Sequence, residues 1–360
     1  MYTCTSSGCP RRNSGSYTTV HSSIERSTTM ICLRLELMKT IRQHRVCLMI
    51  ICSMVFWLLL ETSRKDIPTP SIACVNFKGR LGNLMLEYAF LHIISNMKNL
   101  NPVIPENFEL MNVFNIRDKT PKQIRNREMA CAGLPLHVER WGLSFDEDLF
   151  NVLSSESVRF DGFYQSWKYW SKSEQEIRVI FKFKKPIRDK AFSQFQNIML
   201  IMNFDIRKKN NRVVSIHIRR GDYATKGHLK YGKLTPNATY YINAMNYFRR
   251  IYKNILFIVG SNDIKWDEEA LGAEENVYFS RGLSAAEDMA LLSLANHTIM
   301  SVGTYGWWIG WMARGTTVYY KHIFVPGSDF SKEFKDNSTE DFVYPGWIPM
   351  DESPNGWRDV

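Results

Sequence analysis

From Arg212 onward, apolar runs of five or six residues alternate with stretches that read as helix. The expected strands are Val213 to Ile218, Ile255 to Val259, Val277 to Phe279, Thr298 to Val302 and Thr317 to Tyr320. Between them fall helices near Asn237 to Tyr252, Ser284 to Ala295 and Trp307 to Ala313. Strands that are apolar on both faces belong in a parallel sheet covered by helices on each side, which is an α/β layer structure. In such sheets ligands sit beyond the carboxyl ends of the strands. The chemistry is therefore expected just after Ile218, Val259 and Val302.

The N-terminal half opens in the same way. Ile72 to Phe77 reads as a buried strand, Lys78 to Asn83 as a glycine-containing turn and Leu84 to Lys98 as an apolar helix, with a further strand at Pro102 to Ile104. Asp161 to Trp170 is an aromatic segment that fits either a loop or a strand edge. The basic stretch Lys182 to Lys190 is broken by Pro186, and a domain boundary is expected between residues 186 and 211.

Ahead of this body, Val46 to Leu60 is a run of fifteen residues without charge, preceded by Arg34, Lys39, Arg42 and Arg45. It reads as a signal anchor with its basic flank cytoplasmic. A cleaved signal peptide starting at Met38 is the alternative, although Leu60 to Ser63 offers no small-residue cleavage site. The division expected is a tail at 1–45, an anchor at 46–60, a stem at 61–71, and domains at 72–205 and 206–350. Sequons at Asn237, Asn296 and Asn337 agree with a lumenal body, and Asn296 is the one expected to be buried and unmodified.

Charge and cysteine content exclude other classes. Of a formal +10, nine Lys/Arg and four Asp/Glu lie in residues 1–70. The remaining +5 is spread without a phosphate-tracking run, against a nucleic-acid partner. Of seven cysteines only Cys74 and Cys131 lie in the body, where they can pair, and no spacing indicates zinc.

Three segments carry chemistry. His217-Ile218-Arg219-Arg220-Gly221-Asp222-Tyr223 sets two guanidiniums, a carboxylate and an imidazole at a strand end, where Arg forks can neutralise a diphosphate without a metal. A surface turn with paired Arg and Asp is the competing reading. Ser301-Val302-Gly303-Thr304-Tyr305-Gly306-Trp307 places glycines and hydroxyls before a helix start, an anion site through its backbone N–H groups. Gly79-Arg80-Leu81-Gly82-Asn83 holds the equivalent position in the first half. Asp146-Glu147-Asp148 has the look of a manganese motif, but Ser144 and Glu147 form a capping-box pattern that accounts for it. Ser284 and Glu287 repeat that pattern, which leaves Asp288 as a polar ligand.

GRLGN, DGFYQSWKYW, HIRRGDY and NHTIMSVGTYGWW, in this order over residues 72 to 325, resemble the α-1,2-fucosyltransferase family. The resemblance implies a GT-B-like fold of two facing Rossmann-like domains, with GDP-fucose on the C-terminal one and no metal or other cofactor. It implies an inverting transfer to a β-galactoside glycan in the Golgi membrane. By the same resemblance Arg219 and Arg220 clamp the diphosphate, His217 and Asp288 contact guanine, Gly303 and Thr304 meet phosphate, and Arg80 and Asn83 reach the cleft near the fucose. The general base is not identified. Asp222 is the nearest carboxylate in sequence, and it can equally hold an arginine in place. Leu84 stands where the family commonly has Gln, and Trp307-Trp308-Ile309-Gly310 replaces an alanine-containing run. The same motif set is also compatible with another fucosyl linkage, decided by product analysis, or with a glycan-binding protein that has lost catalysis, decided by GDP titration.

Overall fold

A computed structural model describes residues 21–62, 71–116, 122–124, 127–154 and 156–354. The chain forms two units, Met1–Thr69 and Pro70–Val360. In the first, the apolar run 46–60 lies inside one helix, His21–Thr62. Fifteen residues rise about 23 Å at about 1.5 Å each, short of a hydrocarbon core of about 30 Å. Among the described residues, no helix is long and apolar enough to cross a membrane.

The second unit contains two wholly parallel sheets. The first consists of β1 (Ile72–Val75), β2 (Asn101–Pro105), β3 (Lys122–Ile124), β4 (Leu136–Val138) and β5 (Val158–Asp161), in the order β3-β2-β1-β5-β4. The other consists of β6 (Asn211–Ile218), β7 (Asn254–Ser261), β8 (Val277–Phe279), β9 (His297–Met300), β10 (Thr317–Tyr320) and β11 (Ile348–Met350), in the order β11-β10-β9-β6-β7-β8. In both, the first strand lies inside the sheet; the second sheet winds outward to each side of β6, whereas in the first the chain runs out through β2 and β3, places β4 at the opposite edge and returns with β5 beside β1. A doubly wound sheet opens a crevice where its direction reverses, here between β1 and β5 and between β6 and β9. The α/β class expected from the sequence is what forms, as two parallel sheets.

The helix Leu81–Lys98 is buried on nearly every face from Leu81 to Ser95, as its apolar content requires. It meets the helix Thr304–Ala313 of the other half. Between them Trp170 stacks on Trp308 at 5.7 Å and meets Trp311 edge-on at 5.2 Å, with Phe181 against Trp308 at 5.0 Å. One hydrophobic core accordingly runs through both halves.

Two local expectations are corrected. The segment around Pro186 is not a break but the helix Lys185–Ile201, with the proline in its first turn, where a missing N–H costs nothing. That helix packs against Ala285–Leu292 in the second half. The cap at the acidic triplet is Asp146, not Ser144. Asp146 accepts from the Asp148 N–H ahead of a 3₁₀ turn and pairs with Arg140, while the Ser144 hydroxyl accepts from the Lys335 N–H. At the second site the expected box forms, with Ser284 and Glu287 each bonded to the other's backbone N–H.

Cys74 and Cys131 are joined by a disulfide that ties β1 to the end of the helix Arg127–Cys131.

Candidate active site

The carboxyl end of β6 is pinned on both sides. The Arg219 N–H donates to the Ser301 hydroxyl at 2.9 Å, reaching the end of β9, and the Arg220 N–H donates to Asn262 Oδ1 at 3.1 Å, beyond β7. Gly221 fits because a Cβ there would lie 2.3 Å from Asn262 Nδ2. The backbone of the turn is therefore held at the mouth of the crevice. Arg219 lines a cavity of about 840 Å³. Arg220 does not line it: its guanidinium lies over the Trp266 ring at 4.0 Å, with Nε 4.0 Å from an Asp263 oxygen. The sequence expectation joined two arginines in one clamp, whereas the structure aims them in different directions.

The opposite lip is the start of the helix Thr304–Ala313. Gly303 precedes it at φ 86°, a left-handed value that suits glycine. The first N–H groups of that helix are without intrahelical partners and face the cavity, a favourable place for an anion. Gly306 lets the helix approach His217, since a Cβ there would fall 2.3 Å from His217 Nδ1. Burial and the neighbouring Arg219 charge hold His217 down at about 3, so its imidazole is neutral.

Another wall of the cavity carries a carboxyl shielded from solvent. Asp288, free of the cap beside it, accepts from the Ser280 hydroxyl at 3.0 Å, and burial pushes its carboxyl up to about 6. Gly260 is needed there as well, a Cβ being 2.6 Å from Asp288 Oδ2.

The remaining wall belongs to the first half of the unit. Gly79 to Asn83, beyond β1, closes over the cavity and touches the second half directly. The Thr304 hydroxyl donates to Asn83 Oδ1 at 2.6 Å, and the Trp308 Nε1–H donates to the Gly82 carbonyl at 3.0 Å. A Cβ on Gly82 would meet Thr304 Oγ1 and the Tyr305 nitrogen at 2.7 Å.

Of the residues singled out by sequence, Arg80, Asn83, His217, Arg219, Asp288, Gly303 and Thr304 meet at this cavity. The Asp222 side chain lies outside the described residues. Sequence reasoning missed Tyr223, Lys233, Ser280, Arg281 and Tyr305 as lining residues. Ser280 and Arg281 directly follow β8, so the rule about strand ends had only to be applied to one more strand. Lys233 lies in irregular chain with no local signature. Among the sequons, Asn237 and Asn337 are exposed, while Asn296 is half-buried with its side-chain oxygen accepting the Val213 N–H at 2.9 Å.

The motifs and the geometry have counterparts in known proteins. A family model described as glycosyl transferase family 11 matches residues 39–349. Galactoside alpha-(1,2)-fucosyltransferase 2 of Bos taurus is 30% identical over 306 residues, covering 82% of this chain and 85% of that protein. The protein of the same name from Mus musculus is 30% identical over 291 residues, covering 79% and 80%. Among solved structures, fucosyltransferase NodZ from Bradyrhizobium aligns with a TM-score of 0.44 at 11% identity, covering 67% of this chain and 93% of that one. The family match spans most of the sequence and both sheets, and the chain belongs to glycosyl transferase family 11.

Proposed function

We propose that this protein is a galactoside 2-α-L-fucosyltransferase, moving L-fucose from GDP-fucose to the 2-hydroxyl of a terminal β-galactoside with inversion at C1. The observation that carries this reading is the position of Arg219. It stands at the crevice between β6 and β9, opposite a helix start, in a cavity closed by Arg80 and Asn83 from the other half.

The cavity divides by chemistry. A diphosphate belongs between Arg219 and the N–H groups after Gly303, where a permanent cation and a helix start face the same space. Guanine offers adjacent N–H donors, and a buried carboxylate with two oxygens, Asp288, is their complement. The neutral His217 adds no competing charge on that side. The fucose then points toward Arg80 and Asn83. As its bond to phosphate breaks, negative charge grows on the departing diphosphate, and Arg219 is already in place to meet it. A donor preset for developing charge lowers the barrier by about 2.7 to 4 kcal/mol. Asp222 keeps its place as the nearest carboxylate in sequence, and Arg220 acts by holding the turn.

This chemistry needs no metal, since Arg219 and the helix start supply the positive field. We further propose a Golgi membrane protein with a lumenal body. The disulfide Cys74–Cys131 supports an oxidising compartment, the exposed sequons at Asn237 and Asn337 support glycosylation, and the basic flank before residues 46–60 supports a type II anchor.

The test is incubation of the lumenal fragment with GDP-fucose and a panel of β-galactosides, with and without EDTA, followed by linkage analysis. A 2-linked product formed equally in EDTA is expected. Absence of GDP affinity, or a different linkage, refutes the reading.

A further inference from the structure

A smaller chamber of about 140 Å³ opens off the main cavity and shares with it Asn83, Tyr223, Lys233, Gly303 and Thr304. Its own walls are different. Phe163 and Phe330 supply ring surface, and Gln165 and Glu333 supply polar groups.

Glu333 is held on both oxygens. The Gly142 N–H donates to Oε2 at 3.1 Å and the Tyr231 hydroxyl donates to Oε1 at 3.0 Å. Gly142 follows β4 in the first half and Tyr231 follows β6 in the second, so the carboxylate is fixed across the seam between them. Glycine is required at 142, because a Cβ would approach Oε2 to 2.7 Å. Burial and Glu333 together push the Tyr231 hydroxyl up to about 12, which keeps it a donor at neutral pH. Each carboxylate oxygen retains further lone-pair capacity for a ligand.

Aromatic faces beside a fixed carboxylate and an amide suit a pyranose, whose C–H face lies on rings while its hydroxyls donate to oxygen. The volume is that of about five waters in the liquid, on the scale of one sugar ring and not of a nucleotide. The chamber meets the main cavity at Thr304 and at Asn83, toward which the fucose is placed above.

We infer, resting on the reading of the main cavity as the GDP-fucose site, that this chamber seats the terminal galactose of the acceptor and that Glu333 accepts a hydrogen bond from one of its hydroxyls. The carboxylate then selects and orients the sugar, while donor binding depends on other residues.

The experiment uses lactose as acceptor and compares the unsubstituted protein with Glu333→Gln and Gln165→Ala. In Glu333→Gln the KM for lactose rises about tenfold or more, as expected when a bond to a charged group is lost. The GDP dissociation constant by calorimetry stays as it was. Gln165→Ala disturbs neither anchor of the carboxylate and raises the lactose KM several-fold, so it decides the matter if the first variant does not fold. An unchanged lactose KM in folded variants overturns the inference, and so does a parallel loss of GDP affinity. Absence of GDP binding in the unsubstituted protein overturns this inference and the donor reading together.

Discussion

Thr304 and Asn83, 221 residues apart in sequence, share a hydrogen bond of 2.6 Å that joins the glycine loop of the first sheet to the helix start of the second. The cavity is therefore walled by both halves without any ligand present. Thr304→Val keeps the shape and removes the donor, and a net loss of about 1 kcal/mol in stability is expected. If the bond also sets the position of the fucose, kcat/KM for transfer falls about tenfold while GDP affinity changes less, which steady-state kinetics and calorimetry separate.

The two neighbouring arginines are expected to give different phenotypes. Arg219→Ala leaves the fold intact and lowers transfer by about 10² to 10³, because its guanidinium faces the cavity. Arg220→Ala removes a ring contact over Trp266 and acts mainly on thermal stability. Thermal midpoints and rates for both variants check the distinction, and equal loss of rate at equal stability would contradict it.

Nucleotide affinity should depend on Asp288 ionisation. The carboxyl titrates at about 6 because of its burial, and only the carboxylate form offers both oxygens to guanine donors. Affinity is then full above that pH and weakens as pH falls through it, approaching about tenfold per unit well below it. His217 stays neutral over this range, so it contributes no opposing step. Calorimetry with GDP between pH 5 and 8 measures the slope, and Asp288→Asn is expected to flatten it and weaken binding at pH 8.

The disulfide closes a loop between residues 57 apart in sequence. Loop-closure entropy makes such a crosslink worth about 4 kcal/mol. Urea unfolding of the double variant Cys74→Ser, Cys131→Ser, or of the native protein in reductant, should show a lower midpoint. Identical midpoints would mean that the first sheet does not depend on the bond.

What could be read from the sequence follows from which signals are local. Val277–Phe279, at a sheet edge, and Thr317–Tyr320 form with the expected limits, because apolar runs bounded by turn residues mark strands in the sequence. β3, β4, β5 and β11 were missed. Each has three or four residues, short of the five- or six-residue apolar runs that mark β6 and β7. The helix Thr304–Ala313 starts three residues before the expected Trp307, since Gly303 takes the turn alone. The motif residues were legible because glycines and arginines beyond strand ends announce themselves. The direction of Arg220 was not, being set by Trp266 from another strand's helix. Gly142, Tyr231 and Glu333 come together only through the tertiary fold, and no stretch of chain marks any of them as a site.

The tryptophan stack through the middle of the body resists separation of the two sheets. Trp170 lies flat against Trp308, and Trp308 is itself bonded to the Gly82 carbonyl, so opening the sheets like a jaw would expose indole surface and break that bond. A body that keeps its shape when ligand binds is the expected outcome. X-ray scattering profiles recorded with and without GDP should superimpose.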